Sequence, residues 1–115
     1  MRMWNVDPKL LCRQHLLGEH NEHHSFVGTL NKKISIKGYI DKGLLEIHNL
    51  RKRHHELEIE MISRGYKHNS PLKEFEEITL GNVNSEENLK ELCKRCSSCR
   101  ERITEWETRK IQSPI

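Results

Sequence analysis

Residues 8–24 read PKLLCRQHLLGEHNEHH, and this stretch decides the fold class. Asp7 just before it offers a carboxylate to an orphan amide, and Pro8 suits the first helical position, so a helix is expected over about residues 8–24. Leu11, His15, Gly18 and Glu22 then fall on one stripe at spacings of four, three and four, with Leu10, Leu16 and Leu17 as neighbouring apolar surface. The segment that follows, SFVGTLNKKISIKGYIDKG, is rich in glycine, lysine and turn residues and reads as a loop or short extended link, with Ile34-Ser35-Ile36 as a possible brief strand.

Working outward, a second helix is expected over about residues 43–64, with Leu50, Leu57 and Met61 on its buried stripe and Gly65 as its stop. Residues 66–84 contain Ser70-Pro71 and Gly81-Asn82 and read as an irregular connector. Asn84 with Glu87 resembles a capping box and starts a third helix to about residue 110, whose stripe is Leu89, Leu92, Cys93, Cys96, Cys99, Ile103 and Trp106. The expected fold is therefore all-α: one compact three-helix domain over residues 1–115 with long irregular connectors and no internal repeat.

Composition agrees with this scale. At 115 residues, 34% hydrophobic and 32% charged, the chain can cover one modest core and leaves an ionic surface. No run of about 18 apolar residues exists to span a membrane, and no basic-then-apolar leader stands at the start, so a cytoplasmic monomer is expected. Net charge is +3, and the basic excess sits in residues 1–68, with twelve Lys/Arg against eight Asp/Glu. Residues 69–115 carry eight against nine, so a phosphate backbone would meet the first part.

Met1 is followed by Arg2, too large a second residue for the start methionine to be trimmed, so the α-amine of Met1 is expected at the mature terminus. An α-amine gives up its proton far more readily than a lysine and is a ready nucleophile. Attack on C1′ of a damaged nucleotide would expel the base and leave an imine, and a carboxylate is then wanted to stabilise positive charge and move protons. Glu22 is the candidate, with Glu19 one turn earlier as its rival.

QHLLGEHNEHHSFVG at residues 14–28 and LRKRHHELEIEMISRGYKH at 50–68 resemble the bacteriophage pyrimidine-dimer DNA glycosylase/AP lyase family, also called endonuclease V. The resemblance covers roughly residues 1–70 and needs no gap over the first 30. It implies that Met1 and Glu22 are the catalytic pair, that Arg2 is the arginine beside the nucleophile, and that His15 is an active-site histidine orienting a phosphate or the sugar. It also implies double-stranded DNA with damaged pyrimidines or abasic sites as partner, and no cofactor. Arg51, Lys52 and Arg53 match the family's basic stretch as DNA contacts. Asn21 and Ser25 stand where the family has phosphate-binding arginines, so those clamps are replaced or moved, for example to Arg13, Lys32, Lys33, His20, His23 or His24. The family's aromatic tail is absent, with Trp106 the only aromatic residue of the last helix.

Cys93, Cys96 and Cys99 have the C-x-x-C-x-x-C spacing of a metal motif, which Cys12 or a histidine could complete. On a continuous helix, however, the three thiols spread round the axis and fit the apolar stripe, and CKRCSSC has no glycine or proline to make a knuckle. Core packing or a reversible disulfide is the expectation, with no metal. The adjacent pairs His23-His24 and His54-His55 point apart on a helix, and neither is a ready chelate. The competing functional class is a non-catalytic DNA-binding helical module, zinc-stabilised if the cysteines hold metal. A third reading keeps the imine chemistry but acts on abasic sites or a modified base.

Overall fold

The computed structural model describes the backbone of residues 1–68 and 70–112, and side chains as far as residue 109. Among the described residues there is no strand; the architecture is all-α, with five helices rather than three: α1 (Arg13–Asn31), α2 (Lys37–Asp41), α3 (Leu50–Ser63), α4 (Ser85–Arg95) and α5 (Ser97–Gln112).

The first helix differs from expectation at both ends. Asp7 does cap, accepting from the Lys9 amide at 3.0 Å, and Pro8 does start a helical turn, but that turn is a 3-10 one closed at Leu11. Leu10, Leu11 and Cys12 are all buried, and one continuous helix would have turned these three consecutive side chains to different sides. At the other end α1 runs seven residues beyond 24, because Phe26 and Val27 continue the buried row of Leu16, Glu19, His20 and His23. This row lies one position round from the expected stripe, which leaves Glu22 half-buried at its edge.

α3 starts at Leu50 and not near residue 43, after a 3-10 turn over Ile47–Asn49. Gly65 does end it, with φ +84°. Leu50, Leu57 and Met61 are buried as expected, together with Arg53, His54 and Glu60. The expected third helix is broken in two at Cys96, which is extended (φ −128°, ψ 113°). No glycine makes this break. The Arg100 guanidinium folds back to donate to the carbonyls of Cys93 and Lys94, satisfying the last turn of α4 in place of a continued helix. Asn84 caps α4 as expected, accepting from Glu87 N–H at 3.0 Å.

Two apolar clusters carry the packing. One gathers Trp4, Val6, Leu10, Leu11, Leu16, Leu57, Met61, Leu92 and Ile103, joining both ends of the chain to α1 and α3. The other gathers Met3, Phe26, Val27, Leu45, Ile47, Leu50, Leu72 and Val83. The described residues of the connector, 66–68 and 70–84, are irregular yet docked: Ile47 N–H donates to Leu80 O at 2.9 Å, and Gly81 turns at φ +101° against Leu45. A Cβ at Gly81 would sit 2.0 Å from the Leu45 carbonyl oxygen, so only glycine fits that crossing.

Candidate active site

The chain's first six residues are threaded across the fold and held from three sides. Met3 N–H donates to Leu44 O at 2.8 Å, and Met3, Trp4 and Val6 are buried. The Asn88 amide on α4 donates to the carbonyls of Met3 and Trp4 at 3.3 and 2.8 Å, while its oxygen accepts from the Arg2 guanidinium at 2.7 Å. From α1, the Glu22 carboxylate accepts the Arg2 backbone N–H at 3.1 Å. Three covalent bonds separate that amide nitrogen from the α-amine of Met1, so the amine lies within about 7 Å of the carboxylate. Met1 itself is 40% exposed.

Glu19 occupies a different setting. Arg53 from α3 donates to both of its oxygens at 2.7 and 2.9 Å, and His23 contributes a third contact at 3.2 Å. Burial pushes the Glu19 carboxyl up, but the hydrogen bonds and charges of Arg53 and His23 outweigh it and hold the carboxyl below its usual range. Glu19 thus has its lone pairs committed to an interior ion pair, and Glu22 alone of the two rivals faces the amino terminus.

The basic residues separate in the same way. Arg53 is 2% exposed and also donates to Val6 O, so it is a core group and cannot also present its guanidinium to a phosphate as the basic stretch implied. Arg51 is half-buried over Phe75 and lies 3.6 and 3.5 Å from the carboxylates of Glu74 and Glu77. Lys52 and Arg13 are exposed, the latter with its guanidinium 5.5 Å from the Tyr66 ring centre. Arg2 lies over Trp4 at 4.0 Å, where burial and the charge of Arg95 lower its pKa. Asn21 and Ser25 are exposed, one turn apart on the α1 face beside Glu22, and Ser25 donates to Asn21 O at 3.3 Å.

His15 faces a cysteine cluster. Its Nδ1 is turned to the thiols of Cys12 and Cys99, at 3.2 and 3.6 Å, with its ring edge-on to Trp4. Burial first, then the charge of Arg95, lowers its pKa, so it is a neutral ring in a cysteine cluster. Cys96 joins that cluster, with its sulfur 3.9 Å from that of Cys12, and all four cysteines are free thiols. Cys12, His15, Cys96 and Cys99 together put four ligand atoms within 4.8 Å of one another; Cys93 is not among them.

A second group, missed in the sequence, brings His20 and His24 of α1 together with His54 of α3 and His68 beyond it, again with four ligand atoms within 4.8 Å. The readable signal was the i, i+4 spacing of His20 and His24 on one helix face; adjacent pairs were the wrong unit. Burial and the neighbouring rings push His20 down to about 4 and His54 down to about 3, so both are neutral near pH 7.

No curated protein and no solved structure matches this chain. A family profile does, over residues 1–74, the part that contains the held amino terminus, Glu22 and the Glu19–Arg53 pair. By that match over more than half its length, the chain belongs to the pyrimidine dimer DNA glycosylase family.

Proposed function

We propose that this chain is a bifunctional DNA glycosylase and AP lyase that excises damaged pyrimidines, pyrimidine dimers foremost, from double-stranded DNA. The observation that carries the reading is the Arg2 amide on Glu22 at 3.1 Å, which supports a Met1 amine close to a half-buried carboxylate that is not locked in an interior ion pair. The target carbon is shielded in the base stack, so the nucleotide is drawn out of it first. The α-amine then forms a bond to C1′ as the bond from C1′ to the base breaks, the base leaving with the electron pair and taking up a proton. The secondary amine opens the sugar ring to a protonated imine, and loss of a proton from C2′ expels the 3′ phosphate by β-elimination. Glu22 stabilises the positive charge that builds on the sugar and then carries protons. At an abasic site, where C1′ is already an aldehyde, the same amine condenses directly with loss of water.

Arg2, Arg13, Arg51 and Lys52 are the phosphate contacts in this reading, with Asn21 and Ser25 as neutral hydrogen-bonding groups flanking Glu22. Arg51 would exchange its glutamate neighbours for phosphate. The protein works as a monomer and needs no cofactor for the chemistry.

Incubation with a duplex carrying a single pyrimidine dimer, with and without borohydride, tests this. Scission of one glycosidic bond of the dimer with strand cleavage is expected, the freed pyrimidine staying tethered to its neighbour through the cyclobutane ring, and borohydride should convert the intermediate into a stable protein–DNA adduct. Binding without cleavage or adduct, on the dimer and on an abasic duplex alike, would establish the non-catalytic module instead.

A further inference from the structure

We infer that Cys12, His15, Cys96 and Cys99 bind one Zn²⁺, a structural site that fastens the two C-terminal helices to the family core. The site goes beyond the glycosylase reading and does not depend on it. It consists of two half-sites of identical construction: an extended cysteine just before a helix and a second ligand three residues on, in the first turn. Cys12 precedes α1 and His15 lies on it; Cys96 precedes α5 and Cys99 lies on it.

The measured edges fit a tetrahedral ion. With zinc–sulfur bonds of about 2.3 Å and zinc–nitrogen bonds of about 2.0–2.1 Å, sulfur–sulfur edges are about 3.8 Å and sulfur–nitrogen edges about 3.5 Å. Cys12 to Cys96 is 3.9 Å, His15 Nδ1 to Cys99 is 3.6 Å and to Cys12 is 3.2 Å. A disulfide would need about 2.05 Å, far shorter than the 3.9 Å between Cys12 and Cys96.

The backbone supplies donors to the sulfurs. Backbone amides already aim at sulfur: Cys12 N–H at Cys99 Sγ, 3.3 Å, and Cys99 N–H at Cys96 Sγ, 3.4 Å. The amino ends of α1 and α5 converge there; burial pushes the Cys99 thiol up to about 12, so zinc binding itself would have to displace that proton. Three thiolates and Zn²⁺ leave one net negative charge, and Arg95 is close enough for its charge to act on His15. Neutral imidazole is the form that ligates.

The full chain, untagged and purified under reducing conditions, is expected to carry one equivalent of zinc at this cluster, counted by elemental analysis as the difference between the wild type and the cysteine variants below. Cobalt exchanged into it should give the intense visible absorption and thiolate charge-transfer band of a tetrahedral thiolate site. Cys96→Ser or Cys99→Ser should lose that equivalent, whereas Cys93→Ser keeps it. Should those variants fail to fold, alkylation of the wild type replaces them: Cys93 reacts at once, and Cys12, Cys96 and Cys99 react only after a chelator is added. Absence of zinc and of cobalt uptake, equal reactivity of all four thiols, or loss of the metal with Cys93→Ser would overturn the assignment.

The histidine quartet carries a second site on its own geometry: the structure assigns His20, His24, His54 and His68 to a second Zn²⁺ that ties α1 and α3 to the connector behind α3. The Nε2 atoms of His24 and His54 are 3.3 Å apart, the edge of about 3.3 Å expected of two nitrogens on one tetrahedral zinc, whereas those of His20 and His68, 2.7 Å apart, share a hydrogen bond and would open by about 0.6 Å to take the ion. His68 turns its other nitrogen to Glu58 at 3.5 Å, the carboxylate backing common behind zinc-bound imidazoles. Elemental analysis should then give two equivalents in all. His24→Gln and His54→Gln should each remove one and leave the cobalt–thiolate spectrum intact. A total of one equivalent that both variants retain would overturn this second site and leave the first standing.

Discussion

Glu19 and Glu22 are one turn apart on α1, yet they mark two regions with opposite physics. Around Glu19, α1 and α3 exclude water, and the carboxylate is matched by a two-pronged guanidinium and an imidazole. Glu22, by contrast, accepts a single backbone amide, that of Arg2, and stands half-buried beside the partly exposed Met1. A paired interior charge fixes how two helices sit; a rim charge with capacity to spare can act on something that arrives. The difference teaches that residue type says little about role until burial and partners are known.

Breaking the interior region should cost most. Arg53→Ala strands the Glu19 charge in the core and is expected to destabilise the fold by about 3–5 kcal/mol, read from denaturant unfolding. Glu19→Gln should also destabilise while leaving the amine and Glu22 in place; a mutant as stable as wild type would dissolve the contrast. At the rim the pattern reverses. Glu22→Gln is expected to lower single-turnover cleavage by about 10³-fold with little change in melting temperature or DNA affinity. Equal loss of stability from Glu22→Gln would mean that both carboxylates are structural.

A smaller effect sharpens the link between the regions. Asn88→Ala removes the clamp on the Met3 and Trp4 carbonyls and should cost about 1–3 kcal/mol of stability. It should also slow trapping on an abasic duplex more than it weakens binding, because the amine is positioned less well. Lys52→Ala should do least: unchanged stability, and a salt dependence of DNA binding shallower by about one ion.

The sequence disclosed what is local. The Asp7 cap, the Asn84 cap on Glu87 and the Gly65 stop are contacts or turns within a few residues, and all three stand in the structure. Glu22, expected on the inward stripe, lies instead half-buried at the edge of the buried row. The one-position rotation of the buried row was hidden because Glu19, His20 and His23 look like surface residues until Arg53 and the other histidines are known to meet them. The cysteine cluster was hidden for a related reason. Cys12 and Cys96 lie 84 positions apart in the chain, and the break that creates the second half-site uses an arginine fork in place of a glycine. Reading C-x-x-C-x-x-C as one unit, completed by Cys12 or a histidine, therefore included Cys93, which belongs to α4, and did not single out His15.

The central claim is that the first nitrogen of the chain is the nucleophile, held next to Glu22. Peptide mapping of the borohydride-reduced adduct with an abasic duplex tests it most directly. The account predicts that the sugar remnant is found on the α-nitrogen of Met1 and that blocking this nitrogen by acetylation prevents the adduct. An adduct mapped to a lysine side chain, or one formed undiminished by the acetylated protein, would contradict it.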